Sequence, residues 1–387
     1  MKYIDEYRDG GLAKDIARRI AAEVRPDRRY HFMEFCGGHT HAIARYGLED
    51  MLPDNVEMIH GPGCPVCVLP IGRIDAAIAL ALRPDIALCT YGDLMRVPGS
   101  NGSSLLKAKA QGADIRMVYS TLDALRIAEA EPDREVVFFA IGFETTTPPT
   151  ALALKAAIAR DLKNFSIFCN HVLTPAAIQT ILESPDVARL GTIKIDGFVG
   201  PAHVSTVIGT RPYDGFAAGF QKPVVIAGFE PLDVIQAILM LVRQVNDGRH
   251  VVENQYIRAV TALGNEKAQA EVATYFEERD SFDWRGLGEV TQGGLKLRAE
   301  YARFDAEIRF AMQTPSARDN PACECGAILR GVKKPAECKL FGTLCTPDTP
   351  MGSCMVSSEG ACAAHWTYGR FREKARQTDA DAGRAVA

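Results

Sequence analysis

Three stretches gather the side chains that can do chemistry. Phe35-Cys36-Gly37-Gly38-His39-Thr40-His41 sets one thiol and two imidazoles around a glycine pair, and His60-Gly61-Pro62-Gly63-Cys64-Pro65-Val66-Cys67 adds a Cys-x-x-Cys pair. Cys323, Cys325, Cys338, Cys345, Cys354 and Cys362 crowd a third stretch, holding six of the chain's 11 cysteines. Cys36 follows strand-like residues and precedes an apolar-periodic segment, 42–52, so it is expected near a helix N-terminus. Partial positive charge there favours the thiolate, which makes Cys36 a candidate nucleophile or metal ligand. Cys64 and Cys67, on a turn leading to the helical stretch 74–82, can close a disulfide reversibly or give two thiolates to one metal. A zinc ion shared with Cys36 and a histidine is the competing reading. None of the six C-terminal cysteines forms a Cys-x-x-Cys pair, which argues against a zinc ribbon, whereas a cubane iron–sulfur cluster takes four thiolates at more variable spacing.

Lesser motifs carry less. Gly142-Phe143-Glu144-Thr145-Thr146-Thr147-Pro148-Pro149 reads as a helix start with Thr147 as N-cap and Pro148 as first helical residue. Its N–H groups and hydroxyls suit an anion, and Glu144 is a candidate acid, base or orienting acceptor. Pro201-Ala202-His203-Val204-Ser205 ends another strand, and His203 reads there as a structural histidine. Cys89 and Cys169, each inside an apolar run, read as core residues. No Gly-x-Gly-x-x-Gly or P-loop pattern occurs, so nothing points to a nucleotide.

The elements that must position these groups follow from periodicity. Residues 3–24 carry apolar side chains at helical spacing up to Pro26. From there to about 260, strand-like runs at 30–35, 56–60, 86–91, 115–119, 136–141, 165–170, 197–199 and 224–227 alternate with helical stretches. That is the pattern of βαβ units and parallel sheets, an α/β fold. The words Ala-Ile-Gly-Phe-Glu at 140 and Ile-Ala-Gly-Phe-Glu at 226 repeat, either from a duplicated half or because a tight strand end calls for glycine. Beyond 260 the alternation stops: a Gly-rich stretch at 286–294 and a helical run at 297–312 lead into the cysteine array, which reads as a third, metal-dependent domain. Residues 373–387 are charged, lack a periodic apolar face, and are expected to fray.

Composition narrows the partners. The chain has 387 residues with a formal charge of −4, so no basic excess exists to neutralise nucleic acid. No apolar run is long enough to span a bilayer, and the N-terminus lacks the apolar core of a secretory signal, so a cytoplasmic location is expected. Eleven cysteines in a reducing compartment then point to metal or redox use rather than stapling.

Taken together and in order, Cys-Gly-Gly-His-Thr-His at 36, Gly-Pro-Gly-Cys-Pro-Val-Cys at 61, Gly-Phe-Glu-Thr-Thr at 142 and Gly-Ser-Cys-Met-Val-Ser-Ser-Glu-Gly-Ala-Cys at 352 resemble the HypD family of nickel–iron hydrogenase maturation factors over nearly the whole length. One departure is Ala202, where the family pattern has glycine. The resemblance implies a redox-capable scaffold that, with the small partner HypC, holds iron while two cyanides and one carbon monoxide are attached, the cyanide coming from a transient complex with HypE. On that reading Cys36 is the thiolate to this Fe(CN)2CO iron, and His39 and His41 orient it or move protons. The family's cluster spacing, Cys-x14-Cys-x6-Cys-x16-Cys, falls on Cys323, Cys338, Cys345 and Cys362. These would hold a [4Fe-4S] cluster, leave Cys325 and Cys354 outside it, and send electrons through Cys64 and Cys67. The implied fold is two similar parallel-sheet αβα domains, 29–128 and 129–245, plus a mainly helical and irregular cluster domain, 246–387. The N-terminal helix, 1–28, packs on that cluster domain, and the protein alone is expected to be a monomer. A free-standing [4Fe-4S] thiol-disulfide oxidoreductase working through Cys64 and Cys67 is the rival reading.

Overall fold

A computed structural model describes residues 4–370 apart from 191–193, Ser316 and Arg318. The charged segment 373–387 lies outside the described residues. Apolar runs become buried strands of two parallel sheets. The first contains β1 (Tyr30–Glu34), β2 (Val56–His60), β7 (Gly197–Pro201), β8 (Val224–Ala227) and β9 (Val252–Asn254) in the order β2-β1-β7-β8-β9. The second contains β3 (Ile86–Thr90), β4 (Ile115–Met117), β5 (Glu135–Gly142) and β6 (Phe165–His171) in the order β4-β3-β5-β6. All pairings within these two sheets are parallel. In each sheet the chain leaves its first strand to one side and later returns on the other side. That reversal opens a crevice at the carboxyl ends of the strands, between β1 and β7 in one sheet and between β3 and β5 in the other.

This pairing corrects the expected division of the chain at 128/129. The first sheet takes two strands from residues 30–60 and three from 197–254, with the whole second sheet inserted between them. Because a parallel strand needs a long crossover in any case, an inserted sheet is sterically as acceptable as a helix. The two Gly-Phe-Glu words follow β8 and β5, strands at different places in their sheets, so a tight strand end explains them better than a duplicated half.

The N-terminal helix also departs from expectation. The Asp9 carboxylate accepts from Gly11 N–H at 2.7 Å and Leu12 N–H at 3.0 Å, so α1 (Gly10–Glu23) starts there and a separate 3-10 turn, Asp5–Arg8, precedes it. Its buried stripe, Ala13, Ala17 and Ile20, packs against the helix Pro231–Asp247 on the outer face of the first sheet and, among the described residues, not on the cysteine-rich region. Glu23 pairs with Arg243 and accepts from Asn246 through its carbonyl, which fixes that register.

After 260 the structure has two small antiparallel pairs, Phe276–Glu278 with Leu295–Leu297 and Ser281–Trp284 with Gly288–Thr291. The helix expected over 297–312 breaks into a 3-10 segment, Ala299–Phe304, and a short helix, Ala306–Arg309, because Asp305 caps the second by accepting from Glu307 N–H at 2.8 Å. Cys325, Cys345, Cys354 and Cys362 are buried in the same core as Phe139, Phe198 and Trp284. The cysteine-rich segment therefore shares the central core instead of building its own, as its small size requires.

Candidate metal and thiol site

Cys36 stands at the carboxyl end of β1 and is the N-cap of α2 (Gly37–Tyr46), its sulfur accepting from Gly38 N–H at 3.3 Å. His203 follows β7, the neighbour of β1 across the crevice, and its Nδ1 lies 3.2 Å from Cys36 Sγ. Burial pushes the Cys36 thiol well up, the Glu359 and Glu34 carboxylates push it further, and the N–H groups of Gly38 and His39 only partly offset this. That corrects the thiolate expected from the helix terminus alone, since desolvation and two acids outweigh one turn of helix. Burial, then His39, pulls His203 down to about 4, so its ring is neutral at pH 7. The pair is thus a hydrogen bond between an uncharged thiol and an uncharged imidazole.

Around this pair the backbones close tightly. Gly63 carbonyl accepts from Gly37 N–H at 3.0 Å, which joins the second thiol motif to the first. Cys64, the N-cap of the short helix Pro65–Val68, forms a disulfide with Cys67, and both are buried. His39 Nε2 donates to the carbonyls of Ala227 at 3.0 Å and Gly228 at 3.1 Å, and its ring lies 4.9 Å from that of Phe229. Phe229 also packs on His203, at 5.4 Å, so the second Gly-Phe-Glu word orients both imidazoles. His41 turns away to Tyr368 OH at 3.0 Å, tying α2 to the C-terminal segment. A cleft of about 340 Å³ opens beside His203, lined among others by Tyr91, Asp93, Thr146 and Glu359, so the crevices of both sheets meet in it.

The C-terminal thiols crowd one another. Cys323 Sγ lies 3.3 Å from Cys325 Sγ, and the hydrogen bond to Cys325 comes first among the causes that push the Cys323 thiol up, ahead of burial. Cys325 likewise bonds Cys362 and raises it, while burial leads in raising Cys345, with Cys325 and Cys323 adding to it. Cys338 instead lies beside Glu324 and Lys333. Among the described residues no three of His, Cys, Asp and Glu converge at metal-ligand geometry. Cys323, Cys325, Cys345 and Cys362 are soft thiols in mutual contact or electrostatic reach, donors of the kind an iron–sulfur cluster takes, whereas Cys338 is not among the thiols they touch. Two strands of contact join this array to the disulfide, for Ser353 Oγ donates to Cys67 carbonyl at 2.9 Å and Cys67 Sγ lies 3.9 Å from Ser353 carbonyl.

The chain matches the family described as "HypD: Hydrogenase formation hypA family" over residues 11–369. The chain belongs to this family. It is 84% identical over 387 residues to a hydrogenase maturation factor HypD of Rhizobium leguminosarum bv. viciae, covering all of both chains. To the factor of the same name from Cupriavidus necator it is 69% identical over 373 residues, covering 96% of this chain and 98% of the other. To that of Escherichia coli K12 it is 48% identical over 373 residues, covering 95% and 98%.

Of the residues singled out for their chemistry, the structure brings Cys36, His39, Cys64 and Cys67 together and joins Cys67 to the cysteine array. His203, read as structural, is the residue nearest the Cys36 sulfur in this set, and charge is added by Glu34, which no motif includes, and by Glu359, which lies inside the motif at 352 but was not singled out. A signal for His203 existed, namely a histidine at a strand end like His60, but nothing marked β7 as the neighbour of β1. Glu144 lies elsewhere. Its carboxylate accepts from Thr174 N–H at 2.7 Å and Thr174 Oγ1 at 3.0 Å, and Thr146, not Thr147, is the N-cap of the following helix, Thr147–Ala159.

Burial raises the Glu144 carboxyl to about 7. Between the ordinary glutamate value and that point the folded chain keeps a proton the unfolded chain has released, so stability falls as pH rises through this window and levels above it. From about pH 5.5 to about pH 7 the loss is about 2 kcal/mol, and Glu144→Gln is expected to remove it. Urea unfolding of both chains across that range checks this, and identical pH slopes would refute it.

Proposed function

We propose that this chain is a redox-capable scaffold for the iron unit of nickel–iron hydrogenase. It holds iron through Cys36 while two cyanides and one carbon monoxide are attached, before delivery to the hydrogenase large subunit. The observation that carries the reading is the Cys36–His203 contact at 3.2 Å on the crevice between β1 and β7, with the Cys64–Cys67 disulfide one glycine contact away. Low-spin iron with strong-field diatomic ligands suits sulfur, so Cys36 supplies one thiolate and the small partner HypC a second. His203, neutral and hydrogen-bonded to the sulfur, orients it and relays the proton that leaves as iron binds out through the adjoining cleft to water. His39 is locked by two carbonyls and orients the turn. The cleft beside His203 is where the transient complex of HypC with HypE, the cyanide donor, presents its group.

By the family's cysteine spacing we assign Cys323, Cys338, Cys345 and Cys362 to a [4Fe-4S] cluster, which when bound would supply electrons singly, although it is Cys325 rather than Cys338 that touches Cys323 and Cys362 here. Cys64 and Cys67 form the dithiol pair that accepts and passes two, and Ser353 holds them against the array. In the protein copurified with HypC, infrared spectroscopy is expected to show cyanide and carbonyl stretching bands, and Cys36→Ala to lose them. Bands that survive the substitution would overturn the assignment.

The closed Cys64–Cys67 disulfide favours one second reading, a free-standing iron–sulfur thiol-disulfide oxidoreductase. Partner dependence separates the two. Catalytic disulfide reduction by the purified chain, with no additional iron bound and no association with HypC, would favour the oxidoreductase.

A further inference from the structure

A second cavity, of about 410 Å³, shares no wall residue with the cleft beside His203 and has no part in the iron reading. Its walls come from the helix Ala202–Ile208 after β7, the helix Glu266–Tyr275 and the antiparallel pair Phe276–Glu278 with Leu295–Leu297, closed by Glu144 after β5 and Leu173 after β6. Leu173, Ile208, Val272, Phe276 and Leu295 make the lining mostly apolar. An interior packed to ordinary density leaves voids little larger than a water molecule, so a space of this size and lining has the dimensions of a small-molecule site.

One wall carries a charge that the fold does not balance. Glu144 is only 6% exposed and accepts from Thr174 N–H and Thr174 Oγ1, yet among the described residues no lysine, arginine or histidine pairs with it. A carboxylate taken out of water without a counter-ion is costly, and a cation that reached it would supply the missing ion pair. Facing it are Thr174 from the helix Thr174–Glu183, Tyr213 from the turn Arg211–Tyr213, and the cavity's other charged walls, Glu277, Glu278 and Arg298. Lys296 takes up Glu277 at 3.4 Å, which leaves Glu144 and Glu278 against Arg298, and the Arg298 Nε already donates to the Ala273 carbonyl at 2.9 Å. The balance favours a positive ligand. Burial holds the Glu144 carboxyl at about 7, so near neutral pH a bound cation easily draws it into its charged form.

We propose that this cavity binds a small organic ammonium ion, its nitrogen paired with the Glu144 carboxylate and its hydrocarbon body held against Leu173, Val272 and Phe276. Glu144 is then a binding residue of a second site, not a member of the Cys36 site. The inference stands apart from the iron reading, and neither outcome of its test bears on Cys36.

The probes are phenethylammonium, phenethyl alcohol and phenylacetate, three ligands of similar shape and different charge, titrated by calorimetry into the full chain. At about pH 8 the ammonium is expected to bind about tenfold more tightly than the alcohol, and phenylacetate more weakly than either. Only the ionised carboxyl pairs with it, so its affinity should rise about tenfold from about pH 6 to about pH 8, while that of the alcohol changes little. Glu144→Gln keeps a bond to Thr174 without the charge, and is expected to bring the ammonium down to the alcohol and to level its pH dependence. Val272→Phe fills the cavity and is expected to weaken the ammonium and the alcohol alike. An ammonium that binds no better than the alcohol, keeps its advantage in Glu144→Gln, or is untouched by Val272→Phe overturns the proposal. Should a variant fail to fold, the charge series and pH dependence of the wild type decide alone, and an affinity that stays level between the two pH values overturns it.

Discussion

Gly63→Ala is expected to dismantle the Cys36 site while leaving both sheets folded. A Cβ at this position would stand 2.5 Å from Cys36 Cα and 2.6 Å from Phe35 carbonyl carbon, and closer still to Cys36 N. All three are backbone atoms, so no side-chain rotation relieves the clash, and the two thiol motifs must move apart. The first loss is the hydrogen bond from Gly37 N–H to Gly63 carbonyl at 3.0 Å. The second is the placement of the Cys64–Cys67 pair beside Cys36. Overpacking of this kind costs about 1–3 kcal/mol, so thermal unfolding should shift down by several degrees without abolishing folding. Hydrogenase maturation in cells lacking the native gene should fall to background, because the effect on Cys36 is geometric and local. Full maturation with an unchanged melting temperature would show that the two motifs do not need to touch.

How much of this site was legible beforehand depends on which physical signal each residue carries. Strand-like runs ending in Cys36, His60 and Gly142 were readable, because an apolar run bounded by glycine and proline has few alternatives to a buried strand. Sheet order was not. The crossover after β2 can return beside β1 immediately or after an entire inserted sheet, and local pattern does not distinguish the two. His203 was missed for that reason: its importance lies in β7 pairing with β1, a contact 167 residues away in sequence from Cys36. Glu34 was missed for another, since a single acid at the end of a strand reads as solvent-facing until His60 is seen opposite it. The helix run at 297–312 misled because its apolar spacing continues across Asp305, whose capping bond ends one segment and starts the next. Local propensity favours a cap at such a residue, and the period alone does not show it.

Gly352→Ala is expected to have the largest effect on the cysteine array. Its Cβ would lie 2.5 Å from both Cys323 Sγ and Cys325 Sγ, so a methyl group would be forced against Cys323, which we assign to the cluster, and against Cys325 beside it. Either the sulfurs separate or the segment around 352 shifts, and the shift carries Ser353 away from Cys67, breaking the 2.9 Å bond to its carbonyl. Both routes damage the same function: one removes donors from the metal, the other parts the array from the disulfide. Iron and sulfide per chain should fall well below wild type in protein prepared without oxygen. Ser353→Ala separates the two routes, since it deletes only the clasp. That change should cost about 1 kcal/mol, the net worth of one hydrogen bond, and leave iron content near wild type. Its defect should instead appear in the rate at which Cys64 and Cys67 are reduced. If Gly352→Ala retains wild-type iron, the thiols that hold it do not converge on this glycine, and the ligands must be sought among cysteines that Gly352 does not touch.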